Sequence, residues 1–70
     1  MAGIVKVIEV IAQSSESFEA AAEDAVREAA RTLSGIKSIW IDNFSGEVEG
    51  DRIVLFRVNA KISFMVERES

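Results

Sequence analysis

The sequence predicts an α+β protomer of order β-α-β-β, in which a three-stranded antiparallel sheet of strand order 1-3-2 packs on one helix. Three observations carry this reading. From Val54, apolar residues alternate through Phe56, Val58, Ala60, Ile62, Phe64 and Val66, the period-two pattern of a strand with one buried face. Residues 15–33 are rich in Ala and Glu and contain neither Gly nor Pro, which favours a helix. Residues 3–12 form a short β-branched run broken only by Lys6 and Glu9, which suits a first strand.

The first strand should end before Gln13-Ser14-Ser15. Ser14 is the expected N-cap, because a serine oxygen accepts from the free amides of the first helical turn. Glu16 and Glu19 then sit at the positive end of the helix dipole. In the helix, predicted from Ser15 to Leu33, residues Phe18, Ala22, Ala25, Val26, Ala29 and Leu33 share one face. That stripe is mostly alanine, so the helix can approach a sheet closely. Glu23 and Arg27 are spaced for an i,i+4 ion pair on the opposite surface. Ser34-Gly35 ends the helix, with Gly35 suited to a left-handed cap.

The second strand is predicted from Ile36 to Val48. Alternation points Ile39 and Ile41 one way and Ser38, Trp40, Asp42 and Phe44 the other. The segment Glu49-Gly50-Asp51-Arg52 reads as a tight turn, with Gly50 supplying the positive φ. The third strand follows from Arg52 to Glu67, and the tail Arg68-Glu69-Ser70 should fray. A crossover helix leaves a slot between strands 1 and 2, which strand 3 fills antiparallel to both. One sheet face then has no element of the chain to cover it.

Seventy residues make a single domain over 1–70, and a chain this short usually needs a staple or a partner. It contains no Cys and no His. That excludes disulfides and argues against a structural zinc site, leaving self-association. A net charge of −4 disfavours nucleic acid as a partner. No segment approaches a membrane span, and no export signal precedes the first strand, so a cytoplasmic location is expected. Cysteine and Ser–His nucleophiles are absent, and the glycines match no phosphate loop. Asp42, Glu47, Glu49 and Asp51 cluster in sequence but lack calcium-loop spacing. Ser38, Trp40, Asp42 and Phe44, with Arg57, are all placed on the uncovered face, where the Trp40 indole beside the Arg57 guanidinium could grip a flat anionic ligand. The alternative is a subunit interface filled by Trp40 and Phe44, in which Arg57 pairs with Asp42.

At this point the chain resembles the dodecin family over nearly its whole length. The resemblance lies in the opening Val5-Lys6-Val7-Ile8-Glu9-Val10-Ile11 and the helix start Ser14-Ser15-Glu16-Ser17-Phe18-Glu19-Ala20-Ala21. It extends to the helix end Ala30-Arg31-Thr32-Leu33, to Gly46-Glu47-Val48-Glu49-Gly50, and to the last strand from Phe56-Arg57-Val58 to Lys61-Ile62-Ser63-Phe64. The resemblance implies a hollow homododecamer that is not an enzyme. Members of the family bind pairs of flavins, riboflavin or FMN, between tryptophans of two-fold-related subunits, and are thought to store them.

Aligned without gaps from Thr32 to Gly46, the family's stacking tryptophan falls on Ser38. Trp40 lies two residues later on the same strand face, displaced by ~6.6 Å. The position of the family's ring-edge glutamine falls on Arg57, and that of an arginine near the phosphate falls on Ser45. Ser38, Trp40, Ser45 and Arg57 are therefore the candidate ligand residues. Three functions fit: a flavin-binding shell with Trp40 as the stacker, a flavin-independent shell holding calcium or another small ion, or a shell whose assembly is itself the product.

Overall fold

A computed structural model describes residues 3–67 of the chain. The elements are β1 (Gly3–Ser14), α1 (Phe18–Ala30), β2 (Ile36–Glu49) and β3 (Arg52–Glu67). The strands form one sheet of order β1-β3-β2, and both pairings are antiparallel. The predicted architecture and strand order are thus the observed ones, and β3 has its predicted bounds. The tail Arg68–Ser70 lies outside the described residues.

Helix α1 is shorter than the sequence predicts, and its start lies elsewhere. Ser17, not Ser14, is the N-cap: it is extended, and its Oγ accepts from the Ala20 amide at 2.9 Å. Ser14 Oγ instead accepts from the Glu16 amide at 2.9 Å, a local turn that competes with helix entry. This turn keeps residues 15–17 out of the helix and lets β1 run on to Ser14. The other end stops at Ala30, with Arg31 as C-cap. Gly35 does take a positive φ of 75°, but it is not the cap. It immediately precedes β2, and its carbonyl accepts from the Met65 amide at 2.9 Å. Gly50 has φ 65° in the hairpin turn, as the turn chemistry requires.

The expected Glu23–Arg27 pair does not form. Arg27 bonds Asp24 at 2.7 Å, and Arg31 bonds Glu28 at 3.3 Å, both one turn back at i,i+3. Both pairs are solvent-exposed and contribute little to stability.

The core lies between α1 and the helix side of β3. Val58, Ala60 and Ile62 are fully or nearly fully buried there, against Ala21, Ala25 and Ala29 of the helix. Ala21, which lies outside the predicted stripe, is the most buried of the three alanines. Ile8, Val10, Ala12, Leu33, Ile36 and Ile39 pack around this centre. Small side chains let the helix backbone come close, so the β-branched residues of β3 meet it directly. At the start of the helix, Phe18 stands edge-on to both Phe44 and Phe56, with ring centroids 5.0 Å apart in each pair. Such edge-to-face pairs add about 0.5–1.5 kcal/mol beyond area burial.

That cluster corrects the face assigned to Phe44. The register between β2 and β3 shifts at Ile41/Asn43, where Asp42 is the extra residue. A bulge reverses the alternation beyond it. Phe44, opposite Val58, therefore lies on the helix side with Phe18, not on the uncovered side with Trp40. Two further shifts, at Ile36/Ser38 and Glu47/Val48, bend the same long hairpin. Beyond the last β1 pair, Ser14 with Phe56, the hairpin continues without a strand at its side. The molecule is correspondingly elongated, 58 × 20 × 12 Å.

Candidate functional site

In an antiparallel pair, directly opposed residues point to the same side. With Ile62, Ala60 and Val58 turned to the helix, the register assigns the other side. It carries Val5, Val7, Glu9, Ile11 and Gln13 from β1, and Leu55, Arg57, Asn59, Lys61, Ser63 and Met65 from β3. From β2 it carries Ser38, Trp40, Asn43, Ser45 and Glu47. No element of the chain covers this face. Val5, Val7, Ile11 and Trp40 are all about half-exposed or more on it, with Trp40 at 54%.

Three cross-strand rows contain the chemistry. In the first, Val7, Ser63 and Ser38 stand side by side. The Ser38 and Ser63 hydroxyls share a 2.6 Å hydrogen bond, and Ser63 is buried to 3% exposure although its face is open. In the second row, Lys61 lies between Glu9 and Trp40. Its Nζ is 3.7 Å from Asp42 Oδ2, so the bulged residue turns its carboxylate to this side. In the third row, Arg57 lies between Gln13 and Ser45. The guanidinium is held from both flanks: Nε donates to Gln13 Oε1 at 2.8 Å, and Nη2 donates to Glu47 Oε2 at 2.8 Å. The expected Arg57–Asp42 pair is therefore absent. Asp42 belongs to Lys61, because the bulge sets it beyond the Asn43–Asn59 pair from Arg57.

The candidate residues Ser38, Trp40, Ser45 and Arg57 thus share one face but not one point. Trp40 and Ser38 sit on neighbouring rows, while Ser45 and Arg57 sit together farther along. Arg57 and Lys61 are four residues apart on β3, about 13 Å. Within one protomer the face offers an exposed indole near one end and an anchored guanidinium toward the other. Gln13, Glu47, Lys61 and Ser63 were not singled out from the sequence as members of this constellation. Counting residues back from the Gly50 turn would have set Glu47 opposite Val54, on the other side from Arg57; the shift at Glu47/Val48 moves it opposite Leu55 and so diagonal to Arg57. Among the described residues, no three or more His, Cys, Asp or Glu side chains gather as a metal site. No described helix is long and apolar enough to cross a membrane.

Known proteins agree with this architecture. A dodecin variant from Thermus thermophilus superposes with a TM-score of 0.90 at 22% identity, covering 96% of this chain and 100% of that one. Dodecin from Streptomyces coelicolor superposes at 0.88 with 24% identity, covering 96% of each chain. Dodecin from Streptomyces davaonensis gives 0.88 at 18% identity, over 97% of this chain and all of its own. At such identities the likeness is one of fold. No curated protein sequence matches significantly. The Dodecin family model matches residues 4–67, which span all three strands and the helix, and the chain therefore belongs to the dodecin family.

Proposed function

We propose that this chain, acting as one domain over residues 1–70, builds a non-enzymatic homododecamer that binds and stores a flavin, riboflavin or FMN, against its uncovered sheet face. In this reading Trp40 is the stacking ring, Ser38 leaves the space beside it, Arg57 stands at the position that meets the ring edge, and Ser45 at the position near the phosphate. The observation that carries it is Trp40 itself. A large aromatic side chain stays 54% exposed on a face that no element of the chain covers, where its indole is free to stack on a flat ring.

Self-assembly has its own support. Val5, Val7 and Ile11 are exposed on the uncovered face, while Phe44, Val48 and Ile53 are exposed on the hairpin. Exposed apolar surface in two separate regions is typical of interaction sites. Closed assemblies with more than one kind of symmetry axis use more than one contact surface. Calcium has no comparable support, since an ion site would have to be assembled from several copies.

Flavin fluorescence tests the reading. Adding the purified protein to riboflavin or FMN should quench the emission strongly, and Trp40→Ala should remove the quenching. Emission unchanged at micromolar protein would contradict flavin binding. A thermal melt raised by calcium but not by magnesium would favour the ion-binding alternative instead.

A further inference from the structure

We infer that Arg57 is a strap that holds a hairpin arm in place, and that the arm presents its apolar face to a second copy of the chain only while the strap is closed. This role is separate from any contact with a flavin, and its assembly half rests on the self-association proposed above.

Residues 46–55 form the arm. β1 stops at Ser14, opposite Phe56, so from Gly46 to Leu55 the hairpin has only its own two strands. A two-stranded hairpin alone in water is marginal at best. This one also gives up a ladder position: Glu47 pairs with Leu55 and Val48 with Ile53, so Val54 is an extra residue. Such a bulge bends the hairpin and interrupts its ladder. A Cβ added at Gly46 would lie 3.0 Å from Ile53 Cγ2, which puts Ile53 on the helix side with Phe56, the partner of Gly46. Val48 and Ile53, opposed across the arm, are 62% and 47% exposed. The arm thus offers apolar surface but cannot fix its own direction.

Its root is held from both sides of the sheet. On the helix side, Phe18 stands edge-on to Phe44 and Phe56, at 5.0 Å in each pair. On the other side, Arg57 of β3 reaches the two flanking strands. Its Nε donates to Gln13 Oε1 of β1 and its Nη2 to Glu47 Oε2 of β2, each at 2.8 Å. Gln13 is the second-last residue of β1, and Glu47 lies in the arm on the root side of the bulge. The strap therefore spans the junction. The Arg57 side chain is 28% exposed, against 70% and 72% for Arg27 and Arg31 in the ion pairs of α1. Charge-assisted bonds so shielded contribute more than exposed pairs do. Apolar contacts have no direction, whereas the planar fork of a guanidinium does, so the strap sets the angle of the arm.

Charge reversal followed by charge exchange tests this. Glu47→Arg sets two cations side by side and opens the strap. Amides of residues 46–55 should then exchange hydrogen about tenfold faster. Light scattering at micromolar protein should show a mass below that of wild type. Amides around Ile8 and Ile62, in the core, should keep their rates, which shows that the fold survives. Adding Arg57→Glu restores the pair with its signs exchanged and should recover both arm protection and mass. Gln13→Ala opens the β1 side alone and should act in the same direction, less strongly. Arg27→Gln breaks an exposed pair of α1 and should change neither reading. Arm exchange unaltered by Glu47→Arg, or an exchanged-charge variant no better than Glu47→Arg alone, would overturn the inference. A loosened arm in an assembly of full mass would overturn it too. A wild-type chain that stays single contradicts self-association itself, and the assembly half falls with it.

Discussion

The two faces of the sheet solve opposite problems with similar residues. On the helix side, Val58, Ala60 and Ile62 are at most 2% exposed, because alanines on α1 let the helix lie directly on them. On the other side, Val5, Val7 and Ile11 are β-branched too, yet each is about half-exposed or more. The first face is closed within the chain wherever α1 lies on it. The second is apolar at one strand, clasped by paired charges at its centre, and carries a free indole at the other. A side chain on the closed face therefore acts on folding, and one on the open face acts on what the molecule meets.

The largest effect that separates the faces should come from Ile62→Asp. It places a carboxylate at the centre of the core with no partner, at a cost of several kcal/mol. Circular dichroism should show loss of the cooperative melt. Next, Ala25→Leu should destabilise by about 1–3 kcal/mol, read as a lower Tm, because α1 has no room toward Ile62. The same change at exposed Ala30 should leave the Tm nearly unchanged. Ser17→Ala removes the helix cap and should cost about 1 kcal/mol, whereas Ser14→Ala should cost less. On the open face, Val7→Asp should change protomer stability by only about 0.5 kcal/mol but reduce the assembled mass seen by light scattering. If Val7→Asp unfolds the chain as thoroughly as Ile62→Asp, the two faces do not differ in the way described.

The parts of this fold that follow from local pattern were legible in the sequence. The alternation from Val54 to Val66 marks the helix side of β3, and Gly50 marks the turn. Both agree with the structure because period and positive φ are properties of neighbouring residues. The misread features all depend on choices among near-equals or on distant partners. Ser14, Ser15 and Ser17 are all chemically able to cap α1, and only the extended backbone at Ser17 decides between them. Phe44 was assigned to the wrong face because a bulge at Asp42 costs one residue of register and leaves no compositional mark. Arg57 was paired with the wrong carboxylate for the same reason. Its partners Glu47 and Gln13 lie 10 and 44 residues away, and they meet only once the register is known. Of the site, the exposed Trp40 and its neighbour Ser38 were legible as residues of one strand face. The clasp that neutralises Arg57 was not.

The open face has meaning only if other copies of the chain meet it. Light scattering of the purified protein at micromolar concentration tests this most directly. A mass about twelve times that of one chain is the result that the proposed dodecamer predicts. A stable, folded single chain with Val5, Val7, Ile11 and Trp40 left in water would contradict it.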